Sequence, residues 1–233
     1  MRPVLFLQNG EEDGPGLFAR VLTGLGISLE VIHAWRGDRL PETLAAYSGL
    51  AVGGGGMSAY QSDRFLAEEV RLLRCARESG MPVLGFCLGA QLLSLALGGR
   101  VFPNYTREIG LFEVRFTPEA GSDPLWQGHT AAFHPIHWHG DTFSLPPGAV
   151  WLASSRITPH QLFRWGQHMY GFQFHLEFDL PVVREMIRSD APLLEANGVD
   201  PDRLLADAER HLPGVEPVGR AVFSRWAGLL DPQ

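Results

Sequence analysis

The stretch that most constrains this chain is residues 80–98, GMPVLGFCLGAQLLSLALG. Within it a strand-type apolar run (81–86) passes directly into good helix formers at helical spacing (88–97). Only Gly85, Cys87 and Gly89 punctuate the join. A chain that turns from strand to helix within a residue or two has little room for flanking side chains. Glycines two before and two after Cys87 remove the β-carbons that would collide. This is the logic of the G-x-S-x-G nucleophile elbow with sulfur in place of oxygen. It lifts the Cys87 thiol out of the sheet to the positive end of a helix, where backbone N–H groups and the dipole favour thiolate.

Two plainer readings compete. A lone cysteine in an apolar run is most often a small buried side chain, and the glycine spacing is what weighs against that here. Residues 81–97 carry no charge, yet Pro82, the interrupting glycines and a length short of the ~20 residues of a span argue against a membrane helix.

At 233 residues and 45% hydrophobic content the chain can bury a full core, most simply as one large α/β domain. A net charge of −7 and a pI near 5.7 leave no basic stripe. Nucleic acid and anionic membranes are therefore poor partners, and a small polar substrate is expected. The first apolar run is four residues long, too short for a signal peptide, and two cysteines make no disulfide framework. The expected location is cytoplasmic.

In chain order, residues 4–7 read as a buried strand, 16–25 as a helix and 27–33 as a second strand. This alternation implies βαβ units and a parallel sheet with its active site at the carboxyl ends of the strands. Residues 49–52 form a third strand ending in four consecutive glycines, Gly53 to Gly56, which let backbone amides approach a ligand or cradle an anion. A helix over 63–78 places Leu66, Val70 and Leu73 on one face and Arg and Glu on the other, with Cys75 a packing residue. From 100 to about 174 the pattern becomes short strands, such as 110–116 and 150–155, separated by Gly, Pro and Asp, which suggests added antiparallel strands.

The segment His134–Asp141, HPIHWHGD, invites a metal reading, because His137 and His139 would face the same side of a strand. No second cluster supports it. The reading kept is a loop lining the substrate pocket, with neither metal nor organic cofactor. Residues 170–174 form a strand whose extension carries His175 and Glu177 on one face. A cysteine nucleophile needs a base to take its proton, and that base needs a partner to fix its tautomer. Cys87, His175 and Glu177 supply those roles.

With these motifs in hand the sequence resembles the class I, triad-type glutamine amidotransferases. GFCLGAQLL is similar to that family's G-x-C-x-G-x-Q elbow, and GFQFHLE to its Q-F-H-x-E segment. VGGGGMS resembles its oxyanion loop, and WHGDTF the H-G-D segment of members closest to the amidotransferase part of GMP synthase. The resemblance covers residues 1 to about 180 and implies a flavodoxin-like, mostly parallel sheet flanked by helices, with residues 181–233 as a helical extension of the same domain.

Residue by residue, the resemblance implies that Cys87 forms a γ-glutamyl thioester, with His175 as acid and base and Glu177 as its orienting partner. The backbone N–H groups of Leu88 and Gly55 would form the oxyanion hole. Gly54, Gly56, Gln91, Gly140 and Asp141 would contact the substrate, glutamine or a γ-glutamyl compound. Leu176 and Gly56 stand where the family commonly has proline, and the second of these departures suggests an oxyanion loop that is flexible until a substrate or partner orders it. The tail has two helix-like stretches, 201–211 and 218–230, whose apolar residues, including Val222, Phe223 and Trp226, would pack on the core or form a subunit surface. No P-loop or second catalytic motif appears, so the ammonia would go to a separate synthase subunit or the chain would act alone as a γ-glutamyl hydrolase. A non-enzymatic cysteine redox sensor is the remaining alternative, and it has no use for His175 and Glu177.

Overall fold

The computed structural model describes residues 2–129 and 131–230. In chain order the elements are β1 (Val4–Gln8), α1 (Gly16–Gly24), β2 (Leu29–His33), β3 (Gly49–Val52), α2 (Arg64–Ser79), β4 (Val83–Phe86) and α3 (Leu88–Ala96). Then follow β5 (Val101–Leu111), β6 (Arg115–Phe116), β7 (Ile136–Phe143), β8 (Ala149–Ser154), β9 (Leu162–Trp165) and β10 (Met169–Phe172). The chain closes with α4 (Leu180–Ser189), α5 (Ala191–Ala196) and α6 (Pro201–Ala227).

Eight strands form one sheet in the order β2-β1-β3-β4-β10-β9-β8-β6. The pairings from β2 to β10 are parallel and those from β10 to β6 antiparallel. The flavodoxin-like expectation, with added antiparallel strands and a helical C-terminal part, holds. β5 and β7 form a separate antiparallel pair. Side chains alternate between two cores, as the period of two requires. Val4 and Phe6 of β1 enter one core with α1 and α6, whereas Leu5 and Leu7 enter the other with α2 and α3. Both faces are covered, which is why β1, β3 and β4 are apolar without interruption.

Three expectations need correction. Residues 110–116 are not one strand. Leu111 ends β5 in the small sheet and Arg115 opens β6 at the edge of the large one, because the chain crosses between sheets there and Phe112 and Glu113 belong to neither. The tail is not two stretches from 201: α6 runs unbroken through Pro213 and Pro217, and α4 and α5 precede it. An interior proline costs about 3 kcal/mol or more, but Leu204, Ala208, Leu212, Val215, Gly219, Val222, Phe223 and Trp226 form one buried stripe in phase across both prolines. Packing along that stripe outweighs the local preference, and Val222, Phe223 and Trp226 are core residues with no exposure. Third, the acids of α2 do not all face solvent: Glu69 is completely buried beside Leu66, Leu72, Leu73 and Ala76, while Val70 is only half-buried.

Candidate active site

The turn after β4 puts Cys87 at φ 48°, ψ −105°, the one non-glycine residue with positive φ among those described. Such a conformation is strained for a side-chain-bearing residue and marks a site whose surroundings enforce it. The two glycines are required as the spacing implied. A β-carbon on Gly85 would stand 2.5 Å from the carbonyl oxygen of Gly89, and one on Gly89 would stand 2.1 Å from that of Val52. Backbone bonds fix the elbow from both sides, Cys87 N–H to Phe172 O (2.7 Å) and Gly89 N–H to Gly53 O (3.1 Å). Leu88 opens α3, so its N–H has no intrahelical acceptor. The N–H groups of Leu88, Gly54, Gly55 and Gly56 donate to no acceptor among the described residues.

His175 and Glu177 lie just past β10, where His175 N–H bonds Ile136 O of β7 (2.8 Å) and pins the segment. His175 Nδ1 is 2.6 Å from Glu177 Oε1, both side chains are about 1% exposed, and the imidazole stacks on Phe178 at 3.9 Å between ring centroids. Burial alone would push the imidazole pKa down. The Glu177 carboxylate beside it and its hydrogen bonds to Cys87 and Glu177 reverse that and raise it.

Cys87, Leu88, Gly55, Gly56, Gln91, Gly140, Asp141 and His175 all line one cavity of about 360 Å³. Gly54 is buried behind it and does not line it. Gln91 is tied down rather than free, donating to Asp141 O (3.2 Å) and Gln173 Oε1 (3.3 Å). Gln173 in turn points its Nε2 at Cys87 Sγ (3.7 Å).

The His134–Asp141 segment is mostly strand β7 rather than a loop. His139 lines the cavity, as expected of the segment, while His134 turns away to stack on His211. His137 and His139 do share a side, with Glu108 as the acid that meets them. Glu108 is already engaged, accepting from Ser155 Oγ (2.5 Å), Thr158 Oγ1 (2.6 Å) and Gln161 Nε2 (2.7 Å), with His139 Nε2 at 3.0 Å. Burial would raise its pKa, but His139, the nearby His137, Ser155 and Thr158 together hold it down at about 2. This donor set is that of a stored carboxylate. His139 Nδ1 faces Asp141 O (2.9 Å), so the hub props the backbone against which Gln91 rests.

Sequence reasoning missed Asp13, Arg107, Trp138, Met186, Asp190 and Leu193, which also line the cavity. Asp13 sits beyond the carboxyl end of β1, where a parallel sheet places its chemistry. Burial, then the charges of Glu177, Glu12 and Asp190, push its carboxyl up to about 6 against the pull of His175. Met186, Asp190 and Leu193 come from α4 and α5 and the residue between them. Asp190 closes the wall by accepting from Trp138 Nε1 (2.8 Å). Nothing in the local sequence signals that closure.

Comparison with known proteins places this geometry. The profile described as "Glutamine amidotransferase class-I" matches residues 17–190. A glutamine amidotransferase-like protein of Salmonella typhimurium, YfeJ, is 29% identical over 205 residues, 84% of each chain. A GMP synthase (glutamine-hydrolyzing) of Thermomicrobium roseum is 38% identical over 130 residues, 55% of this chain but 23% of that one, so the chain spans about a quarter of such synthases. A solved glutamine amido transferase from Methylobacillus flagellatus superposes with a TM-score of 0.93 at 31% identity, covering 100% of this chain and 97% of that one.

Proposed function

We propose, from the premise that the chain belongs to the class I glutamine amidotransferase family, that it cleaves the side-chain amide of glutamine or of a γ-glutamyl amide through a thioester on Cys87. Members of the family are enzymes acting on C–N amide bonds, and so is this chain. The observation that carries the finer reading is the convergence on one cavity of a strained cysteine, a buried His175–Glu177 pair and unused backbone N–H groups.

In this reading the Cys87 sulfur attacks the amide carbonyl carbon and its proton passes to His175, whose Nδ1 is committed to Glu177. The carbonyl oxygen becomes an oxyanion held by the N–H groups of Leu88 and Gly55. Preorganised donors of this kind are worth about 3 to 4 kcal/mol each. The C–N bond breaks as His175 returns the proton to the leaving nitrogen. Water, deprotonated by His175, then hydrolyses the thioester to glutamate and free thiol. Gln91 and the backbone at Gly140 and Asp141 hold the amino acid end, with Gly54 and Gly56 shaping the loop around it.

A free-standing hydrolase and a subunit delivering ammonia to a synthase would use the same chemistry. Steady-state hydrolysis of glutamine and a γ-glutamyl peptide panel by the purified chain, with pull-down from source cells, separates them. Rapid unaided turnover of a γ-glutamyl peptide with no partner recovered rules out the obligate subunit. Negligible turnover restored by a co-purifying synthase rules out the free-standing enzyme.

A further inference from the structure

Glu69 stands where the pattern of α2 calls for a leucine, and it is completely buried. Its one hydrogen-bond partner among the described residues is Asn9, whose Nδ2 donates to Glu69 Oε2 at 3.1 Å. Asn9 follows β1 and lies beneath the glycine run. Its Nδ2 also lies 3.4 Å from Gly53 O, and a β-carbon on Gly55 would stand 3.0 Å from its own Cβ. Asn9 therefore touches both Gly53, whose carbonyl also accepts from the elbow at Gly89, and Gly55, whose N–H faces the cavity side. Glu69 Oε1 and Asn9 Oδ1 are buried with no partner among the described residues. Each such group costs about 1 to 3 kcal/mol that a leucine at 69 would avoid. Core packing gives no reason to bear that cost, and the place where it is borne is directly under the oxyanion loop.

Building on the proposed amide-cleaving function, we infer that Glu69 is a positioning residue: through Asn9 it holds the Gly53–Gly56 run so that the Gly55 N–H is aimed at the developing oxyanion. A loop of four glycines has no stiffness of its own, and Gly56 removes even a proline's restriction. The hold has to come from below. Burial pushes the Glu69 carboxyl up to about 8 against the small opposing effect of its bond to Asn9, so near neutral pH it serves as an uncharged acid with no buried charge to compensate.

The test compares Glu69→Leu, Glu69→Gln and Asn9→Ala with wild type by hydrogen–deuterium exchange over residues 53–58 and by glutamine or γ-glutamyl amide kinetics. Removing an oxyanion donor outright costs roughly 10² to 10³ in kcat, so a donor left misaimed should cost about tenfold or more, with KM within about twofold. Glu69→Leu and Asn9→Ala should show that loss and faster exchange confined to the loop, while melting stays unchanged or rises for Glu69→Leu. Glu69→Gln, which can still accept from Asn9, should stay within about threefold of wild type. Wild-type loop exchange in Glu69→Leu would overturn the inference, as would wild-type kcat in an active enzyme. If that variant does not fold, the same readings on Asn9→Ala decide it. Should the wild-type chain cleave no γ-glutamyl amide, the functional reading falls, while loop exchange still decides whether Glu69 positions the loop.

Discussion

The two faces of the central sheet are built on opposite principles. Under α6, the rings of Phe18, Phe86, Phe223 and Trp226 meet mostly edge to face with centroids 5.3 to 6.2 Å apart, and none of these residues is exposed. On that side the one buried polar atom left without a partner in the aromatic group is Trp226 Nε1. At the carboxyl ends of the strands the chain instead holds a positive-φ cysteine and a row of buried polar groups, Glu69, Glu108, His137, His139, His175 and Glu177. Each of these is expensive in isolation. The apolar face supplies stability that the cleft draws on, so function and stability should respond to different substitutions.

The sharpest way to break that contrast lies at the cleft. Cys87→Ala should abolish amide hydrolysis, a loss of roughly 10⁴-fold or more by analogy with nucleophile removal in other triads, while circular dichroism and melting change little. His175→Ala should fall nearly as far. Glu177→Gln keeps the shape but weakens orientation and charge stabilisation, so its loss should be the smaller. Ammonia release measured beside thermal melting checks all three. Near-wild-type turnover in Cys87→Ala would remove the nucleophile, and a Glu177 variant worse than the His175 one would reverse the assigned roles.

At the opposite face, Trp226→Ala should cost about 3 to 5 kcal/mol, the usual range for truncating a large buried aromatic, and lower the melting temperature accordingly. Below its own melting range the variant should keep kcat/KM, because Trp226 packs on Phe18, far from the cavity lining. A variant that melts like wild type but turns over poorly would show that the two faces are not separable.

The cleft was the more legible of the two faces in the sequence, and for a physical reason. The elbow, the glycine run and the His175–Glu177 pair are local: their geometry follows from residues a few positions apart, so spacing alone describes it. Asp13, Arg107 and Asp190 act through tertiary placement. Asp190 joins the cavity because α4 and α5 fold back over Trp138, which no local pattern records. Glu69 misled for the same reason, since an acid on an amphipathic helix reads as solvent-facing until the partner beneath the loop is known. The helices of the tail failed at their boundaries because Pro213 and Pro217 carry a strong local signal, overridden by a stripe whose partners in α1 lie some two hundred residues earlier.

The finest test lies within the cleft itself, between two buried carboxylates handled in opposite ways. Glu108, surrounded by donors, is held at about 2, below its usual 4.5, whereas Glu69, with one amide for company, is pushed up to about 8. For Glu69 the folded state keeps a proton that the unfolded chain releases near 4.5. Its contribution is therefore greatest below that pH and is lost as pH rises toward 8, at up to about 1.4 kcal/mol per unit. Glu108 has the reverse sign: its contribution is present above about 4.5 and is lost as pH falls toward 2. Asp13 and His175, both raised, add to the slope in wild type, so the informative quantity is the difference between variant and wild type. Denaturant unfolding at pH 6 and 7 should show Glu69→Gln losing less stability than wild type over that interval, by at most about 1.4 kcal/mol. Glu108→Gln should leave that interval alone and flatten the decline between pH 4.5 and 3. If Glu69→Gln keeps the full wild-type slope, Glu69 is already ionised in the folded chain. The two carboxylates would then be handled alike, and the contrast drawn between them would be lost.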